Sequence, residues 1–261
     1  MSLRCAAALL LLSTCAHAQS TPEQSWPTTM TVHFIVHHPT MHLPKDLLST
    51  IEHAHQKITH ELWSMASGMQ GSKIDFYLYS DRDSYLAGSF GPPPWSAGRS
   101  IAQGFPNRKL VFVTYDGVRP QLITHELTHL FFGAYWDKPD RAPPIWLNEG
   151  LAVMMEGRSI DMQDPIPFKE FLEQAPQNDD PASRVNLWYT QAGSVVTFLL
   201  KSHSSARFKI FCDCLRDGLP LIDSLRRSYG FASVADFEKQ WRKWAKIGAA
   251  DSVNPGSHEI R

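Results

Sequence analysis

The chain has 261 residues, 43% hydrophobic and 20% charged, enough apolar material for one sizeable core and without the charge bias of a disordered segment. Lys and Arg total 25 against 26 Asp and Glu, a formal charge of -1; with no basic excess to neutralise phosphates, a nucleic-acid partner is not expected. Beyond the amino-terminal segment no apolar run approaches the roughly 20 residues that a bilayer-spanning helix needs, so no transmembrane segment is expected either.

The amino terminus carries Arg4, a short apolar run over 6–12 and the small-x-small string Ala16-His17-Ala18. That pattern predicts a secretory signal peptide over residues 1–18 and export to the periplasm or the medium. The string Leu12-Ser13-Thr14-Cys15 offers an alternative, a lipoprotein site that would leave Cys15 lipidated. Cys212 and Cys214 stand too close together on a helical stretch for an unstrained disulfide and read as small buried hydrophobes.

The remainder predicts an α+β fold. An alternating, β-branched strand over 30–36 stops before Pro39. Pro44 opens a long helix closed by Gly68, with Leu47, Leu48, Ile51, Ile58, Leu62 and Met65 on one face. A second strand over 73–79 precedes a short helix capped by Asp81. The string Gly91-Pro92-Pro93-Pro94 then forces a loop, and strands over 99–103 and 109–114 form a hairpin about Phe105-Pro106-Asn107. From Arg119 onward apolar periodicity predicts helices over 120–132, 145–155, 167–173, 188–202, 206–215 and 234–246. Strands first and helices afterwards imply one domain over 19–248. In it a small mixed-sheet lobe (19–118) meets a mainly helical lobe (119–248) across a cleft, and a frayed tail follows over 249–261.

The chemistry concentrates in His125-Glu126-Leu127-Thr128-His129. Two histidines four apart lie one turn above each other on a helix, so both imidazoles can reach one zinc ion. Glu126 lies about 100° round that helix, where its carboxylate can take a proton from a water that zinc has acidified. Catalytic zinc wants a third protein ligand and an open position. Glu149, in Trp146-Leu147-Asn148-Glu149-Gly150-Leu151-Ala152, follows a loop containing Pro139, Pro143 and Pro144. A second helix packed back on the first would return it to the metal and complete a His2Glu set. Asn148 could orient a neighbouring ligand or serve as a cap.

These strings resemble the gluzincin metallopeptidases, above all the zinc segment of the aminopeptidase N family and of the small peptidase MA-like domain proteins. The specific part of the match covers 122–156; weaker patterns, Pro94-Trp95-x-x-Gly98 and Tyr189-x-x-Ala192-Gly193-Ser194, extend it over most of the chain. The resemblance implies one Zn2+ held by His125, His129 and Glu149, with Glu126 as general base in hydrolysis of a peptide or protein substrate. It also implies Tyr189 as donor to the oxyanion, although a plain core aromatic would read the same. In such folds a peptide lies along the edge strand, here the segment from Arg99 to Gly104, unless that segment is an ordinary hairpin strand.

Two departures from these families narrow the reading. The exopeptidase string Gly-x-Met-Glu-Asn is absent, which favours an endopeptidase. Val153 stands where the thermolysin-like relatives place an acidic residue, so support for a histidine ligand is expected from elsewhere, with Glu156 on the same face as Glu149. Rival readings are a zinc amidohydrolase acting on cell-wall or other non-protein amides, and a non-catalytic binding or assembly factor on the same scaffold. The histidines at 33, 37, 38, 42, 53, 55 and 60 lack the carboxylates or cysteines at helical spacing that a second metal site needs, and His203 reads as a dipole partner at a helix C-terminus.

Overall fold

The computed structural model describes residues 22–251 apart from 40–41, 70, 72, 92–95, 102–108, 114–117, 139, 161, 163 and 178. The expected signal segment, Cys15, Gly104 and the chain beyond 251 lie outside the described residues. The fold is α+β, as expected: a small mixed sheet followed by a mostly helical body. In chain order the sheet strands are β1 (Thr28–Met30), β2 (Phe34–His37), β3 (Ile74–Tyr79), β4 (Gly98–Ile101) and β5 (Lys109–Val113). They are arranged β1-β2-β3-β5-β4, with β2, β3 and β5 parallel and the outer strands antiparallel to their neighbours.

Helices α1 (Leu47–Glu61) and α2 (Arg82–Ala87) fall between strands, and from Pro120 the chain is helical: α3 (Pro120–Trp136), α4 (Ile145–Glu156), α5 (Phe168–Glu173), α6 (Ala182–Lys201), α7 (Ser205–Arg216), α8 (Leu221–Tyr229) and α9 (Val234–Asp251). None of the described helices is long and apolar enough to cross a membrane.

Alternation along β3 organises the two faces of the sheet. Ile74, Phe76 and Leu78 join Phe34 and Val36 of β2 in the main core, against Leu47, Ile51 and Ile58 of α1 and Ile123, Leu127 and Phe131 of α3. Each fully buried aliphatic or aromatic side chain there contributes roughly 1.5–3 kcal/mol. Tyr77 and Tyr79 point the other way and meet Tyr85 and Phe90 in a smaller cluster under Trp26. Every residue of β3 is therefore buried, which suits the central strand of a sheet covered on both sides.

Several expected elements change. The strand over 30–36 is a hairpin, with Thr28 opposite His37 and Met30 opposite Ile35. Thr31 turns the chain: its N–H donates to the Phe34 carbonyl at 3.0 Å and its hydroxyl accepts from Phe34 N at 3.1 Å. Lys73 holds the Val32 carbonyl at 2.8 Å. The helix expected to reach Gly68 stops at Glu61 and tightens into a 3-10 turn over Trp63–Met69 that keeps Leu62 and Met65 buried. Helix α6 starts at Ala182, not 188, because its first turns are polar and held from outside, Arg184 reaching Glu170 at 2.6 Å. Helix α8 is an addition to the expected helices; Leu221, Ile222, Leu225 and Tyr229 recur at helical spacing along its nine residues, with Ser224 and Ser228 buried between them.

His203, expected as a dipole partner at a helix C-terminus, has aromatic neighbours. It packs against Tyr229 and Phe198 at 4.9 and 5.7 Å between ring centres, and burial together with the Arg207 charge lowers its pKa. Other expectations hold: the Asp81 carboxylate caps α2 by accepting from Ser84 N at 2.8 Å, the β4–β5 pair is antiparallel, and Cys212 and Cys214 are buried free thiols.

Candidate metal centre

Helix α3 begins at Pro120, whose missing N–H costs nothing at the first helical position. It buries Ile123, Leu127, Leu130 and Phe131 toward the sheet and α1. Phasing those residues inward sets His125, Glu126 and His129 on a partly buried flank facing α4. Asp137 takes the left-handed conformation that ends α3, and the Trp136 indole N–H donates to the Arg141 carbonyl at 2.6 Å, fixing the return loop. Pro144 then starts α4, which packs against α3 through Leu147 and Leu151 and brings Glu149 across. Helix α6 closes the other side of α4. Gly150 is needed there, since a Cβ would sit 2.4 Å from the Ala192 carbonyl oxygen.

The three expected ligands converge. One donor atom each from His125, His129 and Glu149 lies within 4.8 Å of the other two, and this is the one such group found among the described residues. His125 Nε2 stands 3.5 Å and His129 Nε2 3.6 Å from Glu149 Oε2. Both Nδ1 atoms are engaged from behind, that of His129 donating to Asn148 Oδ1 at 3.1 Å and that of His125 to Glu156 Oε2 at 3.2 Å. With Nδ1 engaged from behind, Nε2 is the nitrogen each ring would offer a metal, and the two Nε2 atoms face one point.

The electrostatics favour a cation at that point. Burial alone would depress the His125 pKa, but hydrogen bonds to Glu149 and Glu156 and the Glu126 charge outweigh it and lift the value to about 9. Burial would raise the Glu149 pKa, yet the His125 hydrogen bond and the His129 charge hold it below the usual carboxylate range. Two imidazole nitrogens and a carboxylate, oriented by an amide and a second carboxylate, match the donor set of a catalytic zinc site.

A cavity of about 460 Å³ opens over these residues. Ser96, Gly98, Arg99 and Ser100 form one wall, Glu126 and Gly133 of α3 another, and Glu149 and Tyr189 the floor on α4 and α6. The expected base and the expected oxyanion donor therefore share one space with the ligand set. Burial, with the charges of Glu149 and Glu126, pushes the Tyr189 pKa up to about 12, so its hydroxyl keeps its proton at neutral pH. Strand β4 is the outer strand on the α3 side. Arg99 lines the cavity, but its Nη1 donates to the carbonyls of Phe90, at 2.6 Å, and of Gly91. Gly104, the other expected substrate residue, is outside the described residues.

Arg158 adds a cation to the site that no motif in the sequence marks. Gly157 ends α4 in the left-handed region, φ 77°, and turns the chain so that Arg158 Nε meets Glu156 Oε1 at 2.8 Å. The signal was a Glu-Gly-Arg string at the end of the ligand helix, which spacing alone could not connect to His125.

Among protein families, the model described as the peptidase MA superfamily matches residues 54–247. That span runs from α1 to α9 and contains His125, His129 and Glu149, the cavity and Tyr189. The comparison with curated proteins returns no match. With about three quarters of its length inside this match, the chain belongs to the peptidase MA superfamily, and so to the peptidase-type hydrolases.

Proposed function

We infer that the protein is an exported zinc metallopeptidase of the gluzincin type, cleaving internal peptide bonds of a peptide or protein. The observation that carries this reading is the pair of Nε2 atoms turned on Glu149, with Glu126 beside them in one cavity. His125, His129 and Glu149 would hold the ion. When bound, zinc supplies Lewis acidity, polarising a scissile carbonyl and lowering the pKa of water. Glu126 takes the proton of the attacking water on a carboxylate oxygen and delivers it to the nitrogen of the departing amine. The Tyr189 hydroxyl donates a hydrogen bond to the oxygen on which charge develops.

Export rests on the pattern over residues 1–18. Internal cleavage is supported by the lack of a Gly-x-Met-Glu-Asn string, whose glutamate would capture a free amino terminus.

The test is metal content by mass spectrometry, on protein purified without added zinc, together with turnover of a casein-type substrate. Wild type should carry about one zinc per chain, in keeping with a three-ligand catalytic site, and Glu149→Ala should lose it. Glu126→Gln should keep the metal and lose turnover by about 10²–10⁴-fold. Full activity in Glu126→Gln would overturn the mechanism, and metal-free wild type would point to a non-catalytic scaffold. Cleavage confined to amidated glycans would assign the site to a different amide.

A further inference from the structure

Next to the metal cavity lies a second one, of about 590 Å³, which the mechanism does not use. The two share Ser96 and Gly98 of the β4 wall and the Glu126 side of α3, so a chain lying along β4 passes from one to the other. The second is distinguished by its cations: Arg119, just before α3, and Arg158, just after α4, both line it. Glu126 and Glu156 line it as well, but the Glu156 charge is already divided between His125 and Arg158. Arg158 spends its Nε on Glu156 while its side chain stays 42% exposed, and a guanidinium keeps further N–H donors on its Nη atoms in a fork that matches a carboxylate. Arg119 is exposed at the rim of the same cavity.

We propose that this second cavity is a carboxylate-recognition subsite, in which Arg119 and Arg158 select peptides carrying an acidic group a short way along the chain from the scissile bond. The carboxylate comes either from an Asp or Glu side chain or from a free C-terminus; the chemistry recognised is the same. The proposal rests on the peptidase reading for its substrate, and on the cavity alone for its anion. Holding a carboxylate there would also brace Arg158, and through Glu156 the His125 ring, so binding and alignment would be coupled.

The experiment uses zinc-loaded Glu126→Gln protein and calorimetric titration with four N-acetylated peptides of equal length. They carry either Glu or its neutral isostere Gln at one position, each with a free or an amidated C-terminus. A charge-assisted contact predicts that a carboxylate form binds about tenfold more tightly than the uncharged peptide. The Glu/Gln contrast with amidated ends reports a side-chain source, and the acid/amide contrast with Gln reports a terminal one.

Arg119→Gln and Arg158→Lys should reduce that preference, and Arg119→Glu should abolish or invert it, with binding of the neutral peptide unchanged in both Arg119 variants. Equal binding of all four peptides, or a preference that survives all three substitutions, overturns the subsite. The same peptides given to the wild-type enzyme separate the two readings. Cleavage without acidic preference removes the subsite and leaves the peptidase, whereas Arg-dependent carboxylate binding without any cleavage keeps the subsite and removes the peptidase.

Discussion

His125 Nδ1 faces the Glu156 carboxylate at 3.2 Å, and Glu156 stands two helical turns beyond Glu149, the residue on the other side of the same imidazole. One face of α4 thus carries a candidate ligand at one turn and, two turns later, the carboxylate that holds a candidate ligand of α3. The buried Val153 between them belongs to the packing of α4.

From this relationship, Glu156→Gln and Asn148→Ala should each weaken zinc binding about 10–100-fold, the range for residues that orient a metal-ligating histidine. Competition with a chromophoric chelator measures the loss. An affinity equal to wild type in both variants would mean that the two rings are held by packing alone.

Tyr189→Phe removes the hydroxyl and little else, because the ring remains edge-on to Trp188 at 5.4 Å. The expected outcome is a fall in kcat of about 10²-fold, as for loss of one oxyanion donor, with KM and zinc content near wild type. Unchanged kcat would make Tyr189 a core aromatic.

Gly150→Ala places a methyl group 2.4 Å from the Ala192 carbonyl oxygen, and backbone on both helices must yield. Overpacking of this kind costs about 1–3 kcal/mol. Thermal unfolding should show a Tm lower by several degrees. Since α4 carries Glu149 and α6 carries Tyr189, turnover should fall as well. A variant with wild-type Tm would show that the α4–α6 contact is looser than the close approach implies.

His55 should give stability a pH dependence away from the candidate metal centre. It stacks on His33 at 3.8 Å and meets Phe131 edge-on, and burial together with the His33 charge lowers its pKa to about 4. Between that value and the ordinary one of 6.5 the unfolded chain binds a proton that the folded chain refuses. Stability is therefore full above pH 6.5 and declines as pH falls toward 4. Allowing for solvent screening of a half-exposed ring, the loss is about 1–2 kcal/mol. Urea unfolding of zinc-free protein at the two ends of this window, with His55→Phe as reference, isolates the term: the variant should lose less on acidification, and an equal loss would refute it.

Much of the site was legible along the chain because it depends on short-range periodicity. Two histidines four apart share a helix face wherever the helix sits, Glu126 follows from the same 100° step, and Pro144 ahead of Ile145 marks where a second helix starts. The central strand β3, the Asp81 cap and the β4–β5 pair were readable for the same reason: each is specified by residues within a few positions of one another.

Where local patterns had two equally regular solutions, only the tertiary structure chose. Residues 28–37 could alternate as one strand, and pairing β2 with β3 while Lys73 held the turn made them a hairpin. The polar start of α6 carries little apolar signal, because a contact from α5 holds it, Arg184 to Glu170. Above all, sequence spacing could nominate Glu149 and Glu156 but could not bring them to His125, or set Arg158 and Arg119 around one cavity beside it. Those distances depend on how closely α4 can approach α3 and α6, which is a property of packed side chains and of Gly150, and no one-dimensional pattern records it.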